Sequence, residues 1–276
     1  MNKMKGGISL SENFVRWVRK QPVLVFYVLA FSITWLGWLP QTAHSHGLIA
    51  LDSPLLWSLL YALGGVGPVL AAVIVMRVLR GPQAYGELFS PLLRWRVGAI
   101  WYIVALFGNV SLWLIVMGIT GKLSTALEQV GPLLALLPLF LTNLLANVSE
   151  EVGWRGFVLP KLQTRYGALI ASLIIGVLWM LWHLPLLLIK GSIMSTYPLI
   201  PYLIDTIALS VLYTWIYNST RGSLLIVTLL HAAGNTVGAW VAPRAVITVL
   251  LAVIVVLVYG PARLSRTSEE DHQKAA

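Results

Sequence analysis

Apolar runs of about twenty residues, separated by short stretches rich in Gly, Pro and basic residues, recur along nearly the whole chain. A helix needs about 20 mostly apolar residues to cross the hydrocarbon core of a bilayer. The pattern therefore predicts spans at about 22–40, 55–79, 98–119, 132–158, 168–189, 198–218, 222–241 and 244–261. The breaks carry Pro40 and Pro54, Gly81-Pro82, Gly131-Pro132, Pro160, Gly191, Pro198, Gly222, Pro243 and Gly260-Pro261, all residues that interrupt helices. The two-residue alternation of membrane barrel strands is absent. The expectation is an all-α, polytopic transmembrane bundle of about eight spans. It forms one integral membrane domain over 1–276 with a short disordered polar tail at about 267–276.

Composition agrees with this pattern. Of 276 residues, 58% are hydrophobic and 11% charged, where a soluble domain carries roughly a quarter charged residues. The formal charge of +9 points to no nucleic acid, because the basic residues sit between the apolar runs and not on one face. The expected partners are the lipid bilayer and a membrane-bound protein or peptide. The absence of cysteine excludes disulfides, a thiolate nucleophile and cysteine-ligated metals. Lys3, Lys5, Arg16, Arg19 and Lys20 precede the first run as in a signal peptide, but no small-residue cleavage site follows Leu39-Pro40, so this run reads as a retained span.

Charge also predicts orientation. Counting loops on alternate sides, all but Lys122, Lys190 and Arg244 of the 19 Lys and Arg fall on the side of the two termini. Cytoplasmic loops carry the excess of basic residues, so both termini are expected inside.

Some polar residues interrupt the runs, and ionisable side chains within spans usually face a protein interior or water and mark function. Glu150 and Glu151 follow an apolar stretch directly, and Glu151 and Arg155 have the i,i+4 spacing, acid first, of an intrahelical ion pair. Glu150 then projects from a neighbouring face, where a free carboxylate suits taking a proton from water; an ordinary charged helix end at the interface is the plainer alternative. His183 is expected well inside the fifth span, beside Pro185. His231 and Asn235 share one helix face across Ala232, Ala233 and Gly234, in keeping with either a packed helix interface or a substrate site. Helical rise puts Glu150 about 13–15 Å, His231 about 13 Å and His183 about 22 Å from the cytoplasmic ends of their spans. Asp205 is expected to pair or sit at the interface. His44, His46 and His272 lie outside the spans, and no His-Glu-x-x-His segment occurs.

Glu-Glu-x-x-x-Arg, then aromatic-x-x-x-His, then His-x-x-x-Asn, each on its own span, resembles the CPBP family of intramembrane proteases. That family is also known as the CAAX protease and bacteriocin-processing, or Abi, family and includes the type II CAAX prenyl endopeptidases. The resemblance covers about 130–240. Trp179 stands where the family usually has Phe. The resemblance implies an intramembrane endopeptidase, a hydrolase, with Glu150 as general base, His183 holding the water, and His231 and Asn235 stabilising the oxyanion. Glu151 and Arg155 would be the supporting pair. It leaves open a metal-free glutamate protease or a metalloprotease, in which Glu150, His183 and His231 would hold a divalent ion such as zinc. Fourth, fifth and seventh spans should converge on a cavity open toward the cytoplasmic half. The alternative function is a catalytically silent membrane protein for bacteriocin immunity or scaffolding. A proton-coupled transporter ranks last, since no internal repeat is visible.

Overall fold

The computed structural model describes residues 12–130, 133–237 and 241–266; Lys3, Lys5, His272 and the polar tail at 267–276 lie outside the described residues. Among these the protein is all-helical, with no strand. In chain order the helices are α1 (Glu12–Lys20), α2 (Pro22–Ser45), α3 (Pro54–Gly65), α4 (Gly67–Arg80), α5 (Ala84–Phe89), α6 (Ala99–Ile119), α7 (Leu123–Val130) and α8 (Leu133–Glu151). A π-helical stretch, Val152–Val158, then leads into α9 (Leu159–Trp182), followed by α10 (Leu184–Leu187), α11 (Leu199–Ser219), α12 (Leu224–Val237) and α13 (Val241–Tyr259). Among the described residues four stretches are long and apolar enough to cross a membrane: Pro22–Ser45, Ala99–Ile119, Leu136–Trp182 and Leu199–Ser219. A fifth joins them if α3 and α4, bent by 50°, count as one span. The apolar helices at Leu224–Val237 and Arg244–Tyr259 are shorter. Leu36, Leu145 and Leu257 are 69%, 77% and 79% exposed, as a lipid-facing surface requires, because lipid tails are as apolar as leucine.

The single span expected at 55–79 is broken at Val66. Pro68 has no N–H to donate to the carbonyl of Gly64, and that carbonyl instead accepts from Thr34 Oγ1 of α2 at 2.7 Å. One turn earlier, the carbonyl of Tyr61 accepts from Trp38 Nε1 at 3.1 Å. A broken helix survives in a bilayer when neighbouring side chains take up its freed backbone groups. Gly64 permits the approach: a Cβ there would lie 2.0 Å from Trp38 Nε1.

The fourth leg is longer than expected. α8 passes Glu150 and Glu151 without a break into the π-helical stretch, which closes with the N–H of Leu159 bonded to Trp154 O. Pro160, expected as the break, sits at the start of α9, where a missing N–H is tolerated. The chain reverses instead at Gly167, whose φ of 73° and ψ of 172° are non-helical and suit glycine. Arg155 and Trp179, equally far along the chain on either side of Gly167, are 4.7 Å apart, so the two legs are antiparallel. The 17 residues from Glu150 to Gly167 rise about 25 Å, close to the roughly 22 Å for Ala168 to His183. The mismatch in depth between Glu150 and His183 thereby disappears. His183 is not well inside its span. α9 ends at Trp182, because Pro185 cannot donate to the carbonyl of Leu181.

Cross-links mark the two ends of the bundle. At one end Ala168 N–H bonds Ala262 O at 2.8 Å, Asn218 Nδ2 bonds Arg263 O at 2.6 Å, and Arg94 Nη1 bonds Arg221 O at 2.8 Å. At the other, Lys190 N–H bonds Ser45 Oγ at 3.1 Å, and His46 Nε2 lies 2.9 Å from Leu188 O. The centre is aromatic: Trp154 and Trp182 are nearly fully buried, as are Phe26 and Phe157, and Trp154 stacks on Tyr27 with ring centroids 5.7 Å apart.

Candidate active site

Local backbone structure accounts for the position of the two adjacent carboxylates. The π-helical stretch immediately after them covers Val152–Val158, and such stretches are rare outside functional sites. At Gly153 a Cβ would lie 2.6 Å from Pro68 Cβ, so this glycine lets the leg press against the start of α4. The side chains of Glu151 and Arg155 are fully buried and form the i,i+4 pair, with Arg155 Nη1 3.2 Å from Glu151 Oε1. The guanidinium lies 4.7 Å from the Trp179 ring centroid and 4.9 Å from that of Tyr213. Cation–π contact and the carboxylate together compensate for burying this charge.

His231, 80 residues further along, brings its Nδ1 to 2.8 Å from the same Glu151 Oε1. A carboxylate accepts and does not donate, so Nδ1 carries the proton and Nε2 is the free position of the ring. Such a carboxylate fixes both tautomer and ring orientation. His183 is held in the same manner, its Nδ1 3.0 Å from the carbonyl of Trp179; the carbonyl also only accepts, and Nε2 is again free. Glu150 accepts from Trp179 Nε1 through Oε2 at 2.6 Å. Asn235 donates through Nδ2 to Asn147 Oδ1 at 3.2 Å.

Glu150, His183, His231 and Asn235 line one cavity of about 390 Å³. They come from α8, the end of α9, and α12, the legs expected to converge. Asp205 is fully buried and does pair: its Oδ2 accepts from Arg244 Nε at 3.0 Å and from Nη2, and its Oδ1 from Thr248 Oγ1 at 2.8 Å. Trp179 was singled out only as an aromatic position, yet its indole N–H is the group that holds Glu150. Asn109 and Asn147 also line the cavity. Their only signal in the sequence was an amide inside an apolar run, which is equally the mark of helix packing.

Among the described residues no three His, Asp or Glu side chains are gathered so that they could hold one metal ion.

The cavity also has a direction. Its lining continues from Glu150 to Ile193, Met194 and Tyr197 in the connection before α11, and to Arg244. Ile193 is 72% exposed and marks the rim. These residues belong to the end carrying Lys190 and Ser45, opposite the end where the basic loops gather. The basic end is expected to be cytoplasmic and the cavity to open there, but the helix directions separate these two features.

Comparison with known proteins finds a likeness over part of the chain. The family described as type II CAAX prenyl endopeptidase, Rce1-like, matches residues 132–237. CAAX prenyl protease 2 of Methanococcus maripaludis is 30% identical over 100 residues, which cover 34% of this chain and 37% of that protein. The match thus spans little more than a third of the relative it aligns with. Both findings support the CPBP, or CAAX protease, family, and the segment matched by the family model contains every motif residue from Glu150 to Asn235.

Proposed function

We propose that the protein is an intramembrane endopeptidase that hydrolyses a peptide bond of a membrane-associated protein or peptide. One observation carries this reading: Glu150, His183, His231 and Asn235, from three separate legs, line a single cavity within the bundle. Trp179 holds Oε2 of Glu150, which leaves Oε1 to take a proton from water. The free Nε2 of His183 accepts the water's second hydrogen and aims the oxygen. That oxygen attacks the carbonyl carbon, and the carbonyl oxygen gains the negative charge. Asn235 donates to this oxyanion with an amide N–H, and His231 does so as imidazolium, the form that carries a proton on Nε2 as well as on Nδ1. When the C–N bond breaks, Glu150 returns its proton to the leaving amine. Fixed donors of this kind act strongly in a site shielded from water.

We further propose that the chain crosses the membrane about eight times with both termini inside, on the strength of the apolar runs and the basic loops. Glu150→Gln keeps the size of the side chain and removes its basicity. Membranes containing this variant should lack the peptide products seen with the wild-type protein. Products that persist unchanged in the variant would sink the protease reading.

A further inference from the structure

We infer that the cavity takes its substrate from the extracytoplasmic side. The scissile bond then belongs to an exported, membrane-bound peptide or to the extracytoplasmic juxtamembrane segment of a membrane protein. This rests on the proposed protease reading for the word substrate, but the side of access stands on two observations of its own.

The first is the position of the cavity. Its rim is built from Ile193, Met194 and Tyr197, in the connection anchored to the end of α2 by Lys190 N–H and Ser45 Oγ. From Glu150 to the opposite end, at Gly167, the leg is continuous helix, packed around Arg155, Trp154 and Phe157, which are at most 1% exposed. The site is closed on that side by the aromatic centre of the bundle.

The second is the distribution of charge, once burial and pairing are known. The exposed basic side chains Arg16, Arg19, Lys20, Arg77, Arg80, Arg96, Arg165, Arg221, Arg263 and Arg266 all lie at the closed end. Arg155, counted with them from sequence, is buried and paired, but its loss leaves the imbalance in place. At the rim end the cations are Lys122, Lys190 and Arg244, and Arg244 is paired with Asp205. Loops rich in Lys and Arg stay in the cytoplasm, so the closed end is inside and the rim outside. The rim is apolar and aromatic, which suits an extended apolar segment leaving the outer leaflet. A cytoplasmic C-terminal tail would meet the closed end.

The chain has no cysteine, so single cysteines report their side without background. Lys190→Cys at the rim, and Arg96→Cys and Arg165→Cys at the closed end, are exposed positions outside the proposed machinery. In intact bacterial cells expressing each variant, a membrane-impermeant maleimide should label Lys190→Cys at once. Arg96→Cys and Arg165→Cys should react only after permeabilisation. The reverse pattern overturns the inference, as does labelling of all three in intact cells. Labelling requires no catalysis, so a negative result in the Glu150→Gln comparison would leave this outcome intact and fall on the protease reading alone.

Discussion

Two carboxylates on the wall of the bundle illustrate opposite uses of a buried charge. Asp205 is fully buried, and both of its oxygens are taken, by Arg244 and by Thr248. Glu150 is 9% exposed at the cavity, and among the described residues only its Oε2 is engaged, by Trp179. A polar cluster with every group satisfied rigidifies a structure, whereas removing one member leaves a costly uncompensated charge. A carboxylate that keeps one oxygen free beside a cavity can exchange a proton. Glu151, next to Glu150 in sequence, lies between the two: Arg155 and His231 both contact its Oε1, while its buried Oε2 has no hydrogen-bond partner among the described residues.

This contrast can be broken by exchanging the two effects. Glu150→Gln should reduce proteolysis by about 10²–10⁴-fold, the usual worth of a general base, while thermal unfolding in detergent barely moves. Asp205→Ala should do the reverse, leaving Arg244 buried without its partner and costing about 3–5 kcal/mol of stability; unchanged unfolding would show that the pair is not structural. Asn235→Ala should lower kcat by roughly 10²–10³-fold with little change in KM, the signature of a lost oxyanion donor. Trp179→Phe keeps the ring and removes the N–H that holds Glu150. A hydrogen bond to a charged group is worth about 1.5–3 kcal/mol, so kcat should fall by at least tenfold, and a rate equal to wild type would remove Trp179 from the mechanism. Thr248→Val deletes the hydroxyl donor to the Asp205 carboxylate and should cost about 1.5–3 kcal/mol of stability, with activity retained.

How much of this was legible in the sequence depended on how local each feature is. The Glu151–Arg155 pair was readable because i,i+4 spacing on a helix is enough to bring the two together. The pairing of Glu151 with His231 was not, because it spans 80 residues and depends on how α8 and α12 cross. His231 was therefore read as an oxyanion donor without the carboxylate that governs its tautomer. Trp179 was legible only as the aromatic of the second motif, since nothing local shows that its N–H faces Glu150. The break at Val66 was hidden because hydropathy runs unbroken through it; Pro68 and the glycines around it were the available signal.

The sequence by itself determined the helical legs, their apolar exterior, the side on which the basic residues gather, and the set of polar residues that interrupt the spans. Each of these follows from hydrophobicity, periodicity or charge summed over neighbours in the chain. Only the tertiary structure decided that the fourth leg runs on to Gly167, that Glu150 and His183 thereby come level, and that their cavity lies toward the end away from the basic loops. Those outcomes depend on where a helix turns and what it packs against, which local composition does not encode.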